Sequence, residues 1–194
     1  MAKDELTKYK IACYTSPAES HWANTTRAGA LSWLNHNGLP NGREEYWKYT
    51  NPLSFNSSKP PVKNEIDPSY KKPIFDEINC VKIAFVDGIL DLENSDDLFM
   101  AGIEIEPLAK ANKNEDHWSL GYFGNIEGAS QKVVKKTLAS LNTAFATEGL
   151  TIKITDKVSK PISIVYYQKD EMSEALIHQV IKVEKNAYAC LLYT

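Results

Sequence analysis

No apolar run in the 194-residue chain approaches the ~20 residues that a membrane-spanning helix needs, which excludes that class of membrane protein. There is no basic excess either. The net charge is -3 and the pI about 5.8, so neither nucleic acid nor an anionic membrane is an expected partner. Only three cysteines occur, Cys13, Cys80 and Cys190. They are far apart and odd in number, which argues against a disulfide framework and against a local Cys-x-x-Cys cradle for iron. The first residues, Met-Ala-Lys-Asp-Glu, lack the apolar core of a secretory signal. Together these features predict a reducing, cytoplasmic setting.

Catalytic signatures are missing too. His21, His36, His117 and His178 contain no i, i+4 pair of the zinc type. The Gly121-Tyr122-Phe123-Gly124 run is followed by no Lys-Ser/Thr at phosphate-loop spacing, and no strand–Gly-x-Gly-x-x-Gly–helix pattern exists. No nucleophile elbow surrounds any serine. Free cysteine commonly behaves as a small buried hydrophobe, and Cys13 and Cys190 fit that role, with Cys80 the more exposed of the three. His36, near a helix end, reads as structural, and His117 lies in a polar loop beside Glu115 and Asp116.

What is present is organised around residues 38–50. Gly38 and Pro40 stop a helix, and Asn41-Gly42 makes a turn. Glu44, Glu45, Lys48 and the rings of Tyr46, Trp47 and Tyr49 then fall together. Two readings stand: an aromatic anchor that packs a helical arm onto the body, or a partner-binding patch built on Glu45, Tyr46, Trp47, Lys48 and Tyr49.

Upstream, Leu6, Tyr9 and Cys13 predict an amphipathic helix over 3–14. Ser16 as N-cap, Pro17 as first helical residue and Glu19 as capping-box partner predict a second helix running to Asn37. Its buried stripe is Trp22, Thr26, Ala30 and Trp33 or Leu34. Downstream, residues 51–73 hold five prolines and read as an extended linker. Val81, Ile83 and Phe85 alternate before Asp87-Gly88, a favoured hairpin turn. Gly102 to Glu106 is a strand with Glu104 and Glu106 on one face, ended by Pro107 and followed by a short helix at 108–111. Val134, Leu138, Leu141 and Phe145 predict a helix over 131–148 that Gly149 terminates. From Leu150 onward short strands alternate with polar turns up to Thr194, leaving a strand edge open for association.

The run Gly38-Leu39-Pro40 followed by Glu45-Tyr46-Trp47-Lys48-Tyr49-Thr50 resembles the N-terminal signature of the SufB/SufD family of iron–sulfur cluster assembly proteins, on its SufD side. Ile83 to Gly88, Leu141 to Ala146 with Gly149, Lys160-Pro161-Ile162 and residues 177–192 resemble further family segments. Two departures stand out: His178-Gln179-Val180 replaces a His-Pro-Arg, and Tyr193 or Thr194 stands where an acidic residue often closes the strand. Family members run to roughly twice this length, beyond a single domain. The resemblance therefore implies the N-terminal part of such a protein.

It implies an α+β fold in which N-terminal helices and a small hairpin/helix region lead into the first coils of a β-solenoid, a right-handed parallel β-helix. The expected divisions are a helical arm over 1–50, the linker over 51–73, an α+β region over 74–149 and the start of the β-helix over 150–194. It also implies a non-catalytic scaffold whose partners are SufB-like and SufC-like (ATPase) proteins. No cofactor or metal ligand is expected in this segment, an iron–sulfur cluster belonging to the parent complex only. Two other readings compete. One is a stand-alone interaction module, self-associating through the open β edge. The other is a carbohydrate-acting β-solenoid enzyme using Glu104 and Glu106, a pair that reads more simply as a solvated strand face.

Overall fold

A computed structural model describes residues 3–52, 72–130, 134–170 and 174–194. The architecture is mixed α+β. Its helices are α1 (Lys3–Ala12), α2 (His21–Asn37), α3 (Leu108–Ala111), α4 (Asn125–Ser130) and α5 (Thr137–Phe145). Its strands are β1 (Val81–Val86), β2 (Ile89–Asp91), β3 (Ile103–Pro107), β4 (Leu150–Ile154), β5 (Ile162–Tyr167), β6 (Val180–Val183) and β7 (Leu191–Tyr193). Most of the proline-rich stretch expected to be a linker lies outside the described residues.

The helices depart from the sequence pattern where a tertiary partner outcompetes a local cap. α2 begins at Ser20, whose Oγ accepts the Ala23 N–H, and not at Ser16-Pro17. Glu19 is not a capping-box residue, because its carboxylate is taken by Arg27. At the other end Gly38 holds φ 68° and donates its N–H to the Leu34 carbonyl at 2.7 Å. In α1 the expected stripe is rotated. Tyr9 is 54% exposed, and Thr7 and Lys10 are buried instead. Thr7 Oγ accepts the Leu39 N–H at 2.9 Å, and the Lys10 ammonium pairs with Glu174, which also accepts from the Tyr14 hydroxyl. α5 is shorter than its apolar spacing suggests, starting at Thr137; residues 131–133 of the expected helix lie outside the described residues. Leu34 and Leu39 pack with Leu141, Ala144 and Phe145 in the cluster that joins α2 to α5.

The strands form two sheets, ordered β2-β1-β5-β7 and β3-β4-β6, and no barrel closes among the described residues. β1 and β2 form the expected hairpin, with Asp87 at φ 47° and Gly88 at φ 85°. β1 runs parallel to β5, and β3 antiparallel to β4. Both sheets thus draw strands from either side of residue 150. After that point the chain alternates between sheets: β4 and β6 are parallel in one, β5 and β7 parallel in the other. The partners are 29 residues apart in both, Thr151 with Val180 and Ile162 with Leu191. Ile83, Phe85, Ile103, Ile152, Ile154, Ile162 and Ile164 fill the space between the sheets. Ahead of β6, Ile177 contributes only a lone bridge to Glu148.

Gly149 does not stop a helix; Ala146 already leaves α5 in extended conformation. Gly149 sits at φ 138° where the chain passes the backbone of residue 178, and an added Cβ would lie 1.9 Å from the His178 carbonyl oxygen. Gly149→Ala should therefore cost about 3 kcal/mol, from backbone strain plus displacement of a neighbouring main chain. Gly29, inside α2, has open space where a methyl group would sit, and Gly29→Ala should stabilise by about 0.8 kcal/mol. Urea unfolding of the two variants checks both, and a neutral Gly149→Ala would show that β6 is not held against Gly149.

Candidate functional site

The stretch at 38–50 is built in two parts. Leu39 and Pro40 are buried, Leu39 being only 1% exposed. Beyond them the turn is braced by side chains. Asn41 donates its backbone and amide N–H groups to Glu44 Oε1 at 3.2 and 3.1 Å, and its Oδ1 accepts the Arg43 N–H at 2.9 Å. The braced turn launches one 3-10 turn, Glu45–Trp47. Tyr46 is 65% exposed and Tyr49 91% exposed, while Trp47 is half-buried. Tyr46 meets Trp47 edge-on at 5.8 Å, and Lys48 Nζ lies 3.7 Å from Glu45 Oε1 and 5.5 Å from the Tyr49 ring centre. The five residues are thus brought together on one exposed turn. The arm is fixed to the body by Leu39, and the two tyrosines face solvent. Such a surface, rings flanked by one acid and one base, suits docking of another protein.

The other sequence candidates are scattered. Cys13, Cys80 and Cys190 are free and half-buried. Among the described residues no group of three or more His, Cys, Asp or Glu side chains is placed to hold a metal ion. Among them, too, no helix is long and apolar enough to cross a membrane. Glu104 pairs with Lys153 at 3.5 Å, and Glu106 with Lys110 at 2.7 Å.

His117 is not displayed in a polar loop as its neighbours suggest. It is buried, with Nε2 3.2 Å from Glu106 Oε2 and Nδ1 2.8 Å from Ser119 Oγ. Burial holds its pKa below the ordinary value, against the pull of Glu106 and Glu104. Ser–His–Glu in this order has the composition of a triad. However, Ser119 is fully buried, and its own N–H donates to Nδ1 at 3.2 Å. The group caps the turn at Trp118–Gly121 and offers no reachable nucleophile.

A buried polar hub gives little sign of itself in the sequence. Arg27 donates from Nε and Nη2 to Glu19 at 2.7 and 3.0 Å. It also donates to the carbonyls of Thr143 at 2.8 Å and Ala146 at 2.7 Å. The one sequence signal is its spacing, four residues after Ala23 on the face that carries Leu34. Next to it, His178 lies 4.7 Å from the Phe123 ring centre and Glu127 Oε2 is 3.8 Å from its Nε2. Burial lifts Glu127 to about 7. Burial, assisted by Arg27, lowers His178 to about 4.

Two outcomes follow from the hub. Arg27→Ala leaves Glu19 buried without its cation and should cost about 3–5 kcal/mol, whereas Glu19→Gln/Arg27→Met should regain at least about 1 kcal/mol of that loss. A double-mutant cycle in urea measures it. For the second, the folded chain holds the Glu127 proton more tightly than the unfolded one. That contribution is full below pH 4.5 and is lost as pH rises through 7. The neutral, buried His178 contributes fully above pH 6.5, and this is lost as pH falls through 4. In the wild type the slopes oppose each other between 4.5 and 6.5. Glu127→Gln should expose the acid-side loss and His178→Gln the loss on raising pH, read as unfolding midpoints against pH; unchanged profiles in both would refute the assignment.

Comparison with known proteins bears on the same segments. No curated protein matches the chain. The family model for the SufBD protein N-terminal region matches residues 13–164. That span takes in α2, the exposed aromatic turn, the hub around Arg27 and the strands up to the first residues of β5. The chain therefore belongs to the SufB/SufD family.

Proposed function

We propose that the chain is the N-terminal part of a SufD-type scaffold of iron–sulfur cluster assembly, which shapes a complex with SufB-like and SufC-like proteins and performs no chemistry of its own. The observation that carries the reading is the family match over residues 13–164. The SufD side of the family is favoured by Glu45-Tyr46-Trp47-Lys48-Tyr49-Thr50 after Gly38-Leu39-Pro40. The expected solenoid has support in the strand geometry. In-register parallel pairs that recur after 29 residues, alternately in two sheets, are what two successive coils would produce. In this reading the helices brace the first coil and the cluster is cargo of the assembled complex.

The exposed turn at 45–49 gives the reading its contact surface, and equally favours a simpler one, a stand-alone protein-interaction module. Gel filtration of the full-length parent with SufB-like and SufC-like proteins separates them. Co-elution as one complex is expected, and three separate peaks would sink the assembly role. Tyr46→Ala/Tyr49→Ala removes two exposed rings, so stability should stay within about 0.5 kcal/mol. Affinity for the partners should fall about tenfold or more if the turn is part of the interface.

A further inference from the structure

The outer edge of β3 borders a groove of about 440 Å³. Residues 103–106 of β3 line it together with Asp97, Phe99, Trp118 and, from β4, Thr151. Hydrogen bonding fixes which way the strand faces. Thr155 donates to the Gly102 carbonyl and Leu108 to the Gly149 carbonyl. In an antiparallel ladder bonded and unbonded residues alternate, so Glu104 and Glu106 are the residues bonded to β4. Ile103 and Ile105 then turn their backbone groups outward. Ile103 is bridged antiparallel to Met100, whose carbonyl takes the Ile103 N–H at 3.4 Å, so among the described residues it is the N–H and C=O of Ile105 that face outward without a main-chain partner.

The side chains state what would fit there. Ile103 and Ile105 point to the inter-sheet core, and Glu104 lies on the opposite, solvent face. On the inner side β4 already answers this pattern: Ile152-Lys153-Ile154 places Lys153 directly opposite Glu104. A strand added on the outer side meets the same alternation, a cation opposite each glutamate and an apolar residue beside each isoleucine. The surroundings reinforce the sign. Asp97 lines the groove, and no basic residue occurs from 91 to 102. Phe99 is 90% exposed beside the edge, an apolar and cation-accepting wall. A β3 edge from a second copy would set glutamate against glutamate, which disfavours self-pairing through this strand.

We infer that the open edge of β3 is a β-augmentation site for an extended basic segment of a partner protein, with lysine or arginine alternating with apolar residues. Main-chain pairing at Ile105 gives the register, and Asp97 and the exposed Glu104 give the preference for cations, Glu106 being held by Lys110. Edge geometry and charge define this site by themselves, independently of the assembly reading.

The test uses the whole chain and a fluorescein-labelled nine-residue peptide of alternating lysine and isoleucine or valine. Fluorescence anisotropy compares it with a glutamate-for-lysine analogue and with a version N-methylated at alternate residues. The basic peptide should bind about tenfold or more tightly than either. Glu104→Lys and Phe99→Ala, both at exposed positions, should each weaken it severalfold, and the Ile105 amide should gain protection from hydrogen exchange when it binds. Equal binding of the acidic or the N-methylated peptide overturns the inference, as does an Ile105 amide already protected in the free chain. A concentration-dependent dimer that occludes the groove and is abolished by Lys182→Glu would assign the edge to β6 of a second copy, and would also overturn it.

Discussion

The helical layer depends on one buried guanidinium. Arg27 reaches Glu19 before α2, the last carbonyls of α5 at Thr143 and Ala146, and the face of Phe123 at 5.2 Å. Glu19 in turn accepts from the Asn112 amide, and the Asn112 carbonyl accepts the Ser20 N–H at 3.0 Å. A cation at the carbonyl end of a helix is favourable, and the carbonyls it meets would otherwise lack partners. Desolvation offsets much of the attraction in such a pair. What the network contributes is orientation: it fixes where α5 ends relative to the start of α2.

That fixed point propagates into the sheets. α5 leaves at Ala146, and four residues later Leu150 begins β4. Between them Gly149 passes the main chain of residue 178 at a separation only glycine allows, and Leu150 N–H is received by the Gln179 side chain at 2.8 Å. The parallel pairing of β4 with β6 starts there, so the helix terminus, the glycine and the register of the second sheet form one chain of constraint. The turn at 45–49 lies at the other end of α2, held through Leu39. There Tyr46 and Tyr49 stand exposed while Trp47 is half-buried.

Local chemistry makes part of this legible. Asp87-Gly88 imposes its own backbone geometry, and the β1–β2 hairpin appears where the sequence puts it. Gly38 likewise ends α2. Period-two alternation locates β1 and β3 within a residue or two. The misses share a physical cause, a distant partner. Glu19 has the spacing of a local cap and serves Arg27, and Tyr9 has the spacing of a buried residue where Lys10 is the one buried, because Glu174 lies across the fold. The apolar spacing through Val134 overstates α5, since spacing reports a buried face and not hydrogen bonding. Of the candidate site, the aromatic cluster is legible as a cluster, but whether it packs or projects depends on what lies above it. His117 shows the same limit, its loop composition being polar while its ring faces Glu106.

The edges of the second sheet show how charge decides what a surface accepts. β3 ends the sheet with Glu104 and Glu106, and β6 ends it with Ile181, Lys182 and Val183. An open edge offers the same backbone donors and acceptors to any strand, so hydrogen bonding alone selects nothing. Selection comes from cross-strand side chains, and these two edges carry opposite signs. Each repels its own kind: β3 against β3 opposes carboxylates, and β6 against β6 opposes Lys182. Isologous pairing through either edge is therefore disfavoured, and the arrangements left open are heterologous, acid edge to basic strand. Such an asymmetry blocks copies from pairing through like edges while leaving the acidic edge open to a basic strand, be it β6 of another copy or a segment of a different protein.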